Sequence, residues 1–215
     1  MRICYHLYDI GTKKTQLKGK ILDFSGSYLL LAKRQAVWQA LNDTRVLQKV
    51  IPGCEYIEWT GANTLDLGIK VNLGLMRPVF GGELVLSEVD PSISYVLSGR
   101  GHGKMLGLAR GEARITLSDT DLGPAISFLQ SENEMTELLA DWPRFGVGTL
   151  LEFQAEGSAS GKIMALGKKL VGKSAQRVID GFFLRFAVAM DTRVVSCPRA
   201  IPAPEAASST SLERS

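Results

Sequence analysis

Histidine and cysteine are scarce in this chain: there are two of the former, His6 and His102, and three of the latter, Cys4, Cys54 and Cys197. The cysteines are odd in number, lie far apart and form no C-x-x-C pair, which removes both a disulfide framework and a structural zinc site from consideration. Acidic pairs such as Glu55/Glu58 and Glu132/Glu134 fall on segments read as strand or exposed helix, where carboxylates are solvated, so no metal is assigned to them. No apolar run reaches the ~20 residues that cross a bilayer. The N-terminus, MRICYHLYDIGTKKTQ, lacks the basic start, apolar stretch and cleavage site of a secretory signal, which makes the cytoplasm the expected compartment. A formal net charge of +3 without a basic run interleaved with aromatics excludes nucleic acid as an expected partner. The glycines at 99, 101 and 103 end a strand but open no helix, so the dinucleotide-binding fingerprint fails.

What is present is an ordinary globular composition, 45% apolar over 215 residues, enough for one domain with its own core. Residues 1–19 read as an irregular polar arm. From Ile21 the segment ILDFSGSYLLL is predicted to be a strand. Two short helices follow, the first with Val37, Trp38 and Leu41 at helical spacing, the second with Val46, Leu47 and Val50. Asn42 and Asp43 stop one and cap the next, and Pro52-Gly53 ends the pair. A run of strands comes next. In one, Leu65, Leu67, Ile69, Val71 and Leu73 alternate with polar residues, and in another Ala113, Ile115 and Leu117 do so. Residues 119–148 lose the strand rhythm, although Ser131 and Glu134 form a capping-box pattern before a short apolar run. Strand pattern resumes at TLLEFQAEGSAS. Lys162 to Met190 reads as one amphipathic helix, with Val178, Phe182 and Phe186 on its apolar side. Lys162, Lys169, Lys173 and Arg177 form a narrow stripe opposite, on which Asp180 also falls. After Val195 the chain is rich in proline, alanine and serine.

This order (strand, two short helices, antiparallel strands, one long helix) predicts an α+β fold in which a curved antiparallel sheet and the helix bury each other's apolar faces. Glycines within the strands, Gly68, Gly81, Gly82, Gly99 and Gly101, supply bends for the curvature.

Several stretches resemble the carbon monoxide dehydrogenase G-subunit family, within the START-like, Bet v 1-like (SRPBCC) helix-grip superfamily. They are Phe24-Ser25-Gly26, the Val37-to-Asp43 helix, Val50-Ile51-Pro52-Gly53-Cys54-Glu55, Phe80-Gly81-Gly82 through Pro91, Ser94 through Gly101, and Ala109 through Leu117. Gly161 through Gly167 and Phe182-Phe183-Leu184-Arg185-Phe186 also fit. The likeness covers roughly residues 20–118 and 149–190. It implies a helix-grip domain over 20–192, an insertion at about 119–148, and a disordered tail over 193–215. The first 19 residues have no counterpart in the family; some members carry a membrane-anchoring helix after such a tail, whereas the likeness here runs only into the tail, so autonomous membrane insertion is not expected.

The resemblance implies a non-catalytic accessory role: holding an isoprenoid quinone or lipid in a central cavity, and recruiting a carbon monoxide dehydrogenase-like molybdenum hydroxylase to the inner face of the cell membrane. The apolar positions expected around such a cavity are Leu67, Ile69, Val71, Phe80, Leu84, Tyr95, Leu97, Phe153, Val178, Phe182 and Phe186. Arg100, His102 and Tyr95 are candidates to touch a polar head, with His102 placed in a loop near the mouth. Lys162, Lys169, Lys173 and Arg177 are candidates for a peripheral membrane or partner surface. Two alternatives stay open. A cyclase-, aromatase- or hydrolase-like enzyme on the same fold would need ionisable groups inside the cavity. A ligand-free adaptor would have a packed core instead of a hollow. No catalytic residue is assigned.

Overall fold

In a computed structural model, the described residues are 21–70, 77, 79–103, 107–120, 148–160 and 168–197. They form β1 (Ile21–Leu30), α1 (Arg34–Leu41), α2 (Thr44–Val50), β2 (Cys54–Trp59), β3 (Thr64–Lys70), β4 (Val79–Asp90), β5 (Ser94–Gly103), β6 (Gly107–Thr120), β7 (Gly148–Ala159), α3 (Lys168–Ala189) and β8 (Val194–Cys197). The eight strands make one antiparallel sheet in the order β2-β3-β4-β5-β6-β7-β1-β8. This is the expected α+β helix-grip architecture. Strands β2 to β7 are sequential neighbours, as hairpin connections dictate. Strand β1, by contrast, lies far from β2, and α1 and α2 carry the chain between them. The arm over 1–19, the capping-box helix at Ser131 and most of the 119–148 segment lie outside the described residues.

Local chemistry fixes the crossing. Asp43 caps α2, its carboxylate accepting from the Arg45 backbone N–H at 2.9 Å. After α2 the chain turns sharply at Gly53, whose φ is +74°, and a Cβ there would collide with the Lys70 carbonyl. Lys70 N–H in turn donates to the Gly53 carbonyl at 2.7 Å, stitching the turn to the end of β3. Only glycine fits a left-handed turn pressed this closely against a neighbouring backbone.

Helix α3 is held to the rest by aromatic stacking and by polar ties to β1 and α2. Tyr28 of β1 stacks on Phe183 with ring centroids 3.8 Å apart, and Phe182 stacks on Phe186 at 5.6 Å. Phe186 is fully buried among Leu30, Val37, Val50, Leu117 and Leu151, which makes this end of the interior solid. Arg185 Nε donates to the Val50 carbonyl at 3.0 Å, satisfying an acceptor at the end of α2 that has no helical partner. The Tyr28 hydroxyl donates to Asp180 Oδ1 at 2.7 Å, and Gln176 Nε2 donates to the same oxygen at 2.9 Å. Asp180 therefore faces the sheet and does not continue the basic stripe to which its helical angle assigned it. Burial first, and the Asp180 carboxylate second, push the Tyr28 phenol well above its ordinary range.

The C-terminal boundary needs correction. The tail expected from residue 193 begins with a strand: Val194–Cys197 pairs with β1 from Leu30 back to Ser27. Thr192 Oγ1 donates to the Leu31 carbonyl at 2.6 Å and guides the chain from α3 onto that edge. Val194 packs against the solid core and Cys197 is buried.

Two outcomes follow. Gly53→Ala should destabilise the fold by more than about 1 kcal/mol, read as a lower denaturation midpoint, because the turn is incompatible with a side chain. Tyr28→Phe should cost about 1–3 kcal/mol by leaving Asp180 short of a donor. The tyrosine's folded-state pKa lies above its unfolded value of 10.0. Its stabilisation is therefore fully present below about pH 10 and is lost as pH rises further. Thermal melts at increasing alkaline pH should show the wild-type advantage over Tyr28→Phe shrinking.

Candidate functional site: an apolar cavity under the helix

Beyond the solid end, the space between sheet and helix is not filled. A cavity of about 370 Å³ lies there, near the lower end of the range that holds small ligands. The inner faces of β2 to β7 form its floor, through residues such as Ile57, Leu65, Leu84, Leu97, Ile115 and Phe153. Val178, Ile179, Phe182 and Phe183 of α3 form one wall, and Leu41, Asn42, Leu47, Ile51 and Pro52 of the α1–α2 segment form another. Val178 lines the cavity yet is 51% exposed, which places the mouth beside this turn of α3.

The lining is nearly all carbon. Among its described residues there is no Asp, Glu, His, Lys, Arg or Cys, and no metal-binding cluster exists among the described residues as a whole. The polar groups in the lining are the Tyr95 phenol and the Asn42 amide. Tyr95 is buried, and desolvation alone pushes its pKa up to about 12, so it is a neutral phenol at physiological pH. Its ring meets the edge of Trp38 at 5.4 Å. Asn42 caps the end of α1 and donates to the Trp38 carbonyl at 2.8 Å.

Of the residues anticipated around a ligand, Leu84, Tyr95, Leu97, Phe153, Val178 and Phe182 are brought together on this cavity. Leu67 and Ile69 belong to the apolar cluster of Leu47, Ile57 and Leu86 that surrounds it. The inward-facing ring of Phe80 lies against Gly101, occupying the space that a side chain there would take. Val71 lies outside the described residues. Three positions are corrected. Phe186 belongs to the solid end, where it has no exposure at all. His102 is no loop residue at the mouth: it lies within β5, paired with Gly81 and Leu108, and is exposed. Side chains alternate across a strand, so His102 shares the outer face with Ser98 and Arg100, while Tyr95 and Leu97 face inward. Arg100 is thereby removed from the cavity as well. Of the basic stripe, Arg177 is exposed, Lys169 and Lys173 belong to α3, and Lys162 lies outside the described residues.

Sequence reading missed the wall given by α1 and α2. Leu41 and Leu47 sit at helical spacing on an apolar side, but nothing in the spacing tells that this side faces a hollow and not a filled core.

No curated protein matches the sequence. Several solved structures share the fold. A conserved protein from Geobacillus kaustophilus superimposes with a TM-score of 0.62 at 20% identity, covering 80% of this chain and 99% of that one. An uncharacterised Rhizobium leguminosarum protein gives 0.53 at 6% identity over 80% and 96%. A Thermus thermophilus protein gives 0.50 at 13% identity over 79% and 97%. At these identities the likeness is one of fold. Residues 26–140, more than half of the chain, match the family described as the carbon monoxide dehydrogenase G subunit (CoxG), and the chain belongs to that family.

Proposed function

We propose that this chain is a non-catalytic accessory protein: its cavity holds an isoprenoid quinone or a similar lipid, and its surface recruits a carbon monoxide dehydrogenase-type molybdenum hydroxylase to the cytoplasmic face of the membrane. The single observation that carries the ligand half is the hollow itself, walled by carbon and free of ionisable lining groups other than one neutral phenol among the described residues. Burial of each CH₂ is worth about 0.8 kcal/mol, so an aliphatic tail binds there without any hydrogen bond. At about 370 Å³ the space takes a ring or a short stretch of chain, and the rest of a longer molecule leaves through the mouth at Val178. Acid–base or nucleophilic catalysis needs positioned ionisable groups, and the described lining offers none beyond that phenol. Binding is therefore favoured over a cyclase- or hydrolase-like activity.

Family membership supports the hydroxylase as partner. Exposure supports contact with a membrane surface. Leu184 is 61% and Val188 78% exposed, on the same side of α3 as Arg177, pairing apolar side chains with a cation as interfacial helices do. No helix among the described residues is long and apolar enough to span a bilayer, so such contact would be peripheral.

Protein purified from its own host should release an isoprenoid or other lipid on organic extraction, identified by mass spectrometry. Ala113→Phe, which projects a ring into the cavity, should lower that occupancy about tenfold or more, equivalent to about 1.4 kcal/mol, while circular dichroism stays that of the wild type. Repeated absence of any apolar molecule, with no uptake of added quinone, would overturn the ligand half. Affinity capture with the full chain should retain a molybdenum hydroxylase, and its absence from such captures would overturn the recruitment half.

A further inference from the structure

The phenol of Tyr95 stands out in the cavity. The residue is 6% exposed, and its oxygen makes no hydrogen bond to a described residue. Yet no buried side-chain oxygen or nitrogen among the described residues is left without a partner. The oxygen is therefore not sealed in protein: it opens onto the hollow that the rest of the side chain helps to wall. Asn42, the other polar lining residue, has already committed an amide hydrogen to the Trp38 carbonyl. The lining holds no cation among its described residues.

Resting on the reading that the cavity takes an apolar ligand, we propose that Tyr95 anchors the ligand's head and makes the cavity prefer uncharged molecules that carry an oxygen, such as an alcohol, a ketone or a quinone carbonyl, over a hydrocarbon or an anion. A hydroxyl can donate and accept, so it pairs with either a carbonyl or an alcohol. A pure hydrocarbon leaves it unpaired in a desolvated site, which is unfavourable. A carboxylate could accept its hydrogen bond, but the anion's burial has no opposite charge to offset it. Burial keeps the phenol protonated at neutral pH, so it stays a donor and adds no charge of its own.

The test uses the full chain and three probes of one carbon skeleton, dodecane, 2-dodecanone and dodecanoate, each displacing the neutral dye N-phenyl-1-naphthylamine. Wild type should prefer the ketone to both others. Tyr95→Phe keeps the ring and its edge contact with Trp38, and should weaken the ketone about tenfold while leaving dodecane unchanged. Dodecanoate binding as tightly as the ketone would overturn the proposal. So would dodecane binding normally while Tyr95→Phe leaves the ketone unaffected or weakens both alike. Failure of the dye and of every probe, dodecane included, would instead sink the ligand-cavity reading beneath it.

Discussion

One helix cannot cover eight strands. A helix with its side chains is about 10 Å across, while neighbouring strands stand about 4.8 Å apart, so an eight-stranded sheet is several times wider than the rod laid on it. The inner face is nonetheless apolar from β2 to β7 and must leave water. The molecule meets this demand by combining three devices. The sheet turns its inner face to α3, the α1–α2 crossing roofs the far side, and bulky aromatic side chains fill one end. What they do not fill is the cavity, a consequence of covering a wide sheet with too little helix.

The aromatic end sets the depth of that hollow. Tyr28, Phe183, Phe182 and Phe186 form a continuous run of ring contacts between β1 and α3. Phe182 and Phe183 belong both to this run and to the cavity wall. The same two residues thus anchor the helix and bound the cavity. The tie from Tyr28 to Asp180 and that from Arg185 to Val50 fix the helix at two more points, one toward the sheet and one toward α2.

Much of this was legible in the residues. Alternation in Leu65, Leu67 and Ile69 gave a strand with one inward face, and the long apolar stripe ending at Phe186 gave the gripping helix. The family likeness, strongest around Ile51-Pro52-Gly53, coincides with a turn that admits no side chain. Other features were hidden for definable reasons. Helical angle reports direction but not position along the axis, so Phe186 looked equivalent to Phe182 although one lies in the solid end and the other on the cavity. Asp180 shared an angle with lysines, yet a phenol within reach on β1 drew it toward the sheet. His102 could have been placed: counting by twos from Tyr95 reaches Leu97, Gly99 and Gly101 and passes it by. The four residues of β8 were lost because so short a strand, followed by a proline-rich stretch, leaves no periodicity to read. It exists because β1 still had an unpaired edge.

The division of the interior into a filled and an empty end has a kinetic meaning. Opening events in proteins occur region by region, each with its own free energy. Were the cavity to take a guest, the aromatic end would leave α3 anchored while the exposed turn at Val178, away from that end, gave the way in. Exchange would then call for only a local opening of the structure, with the aromatic end left intact.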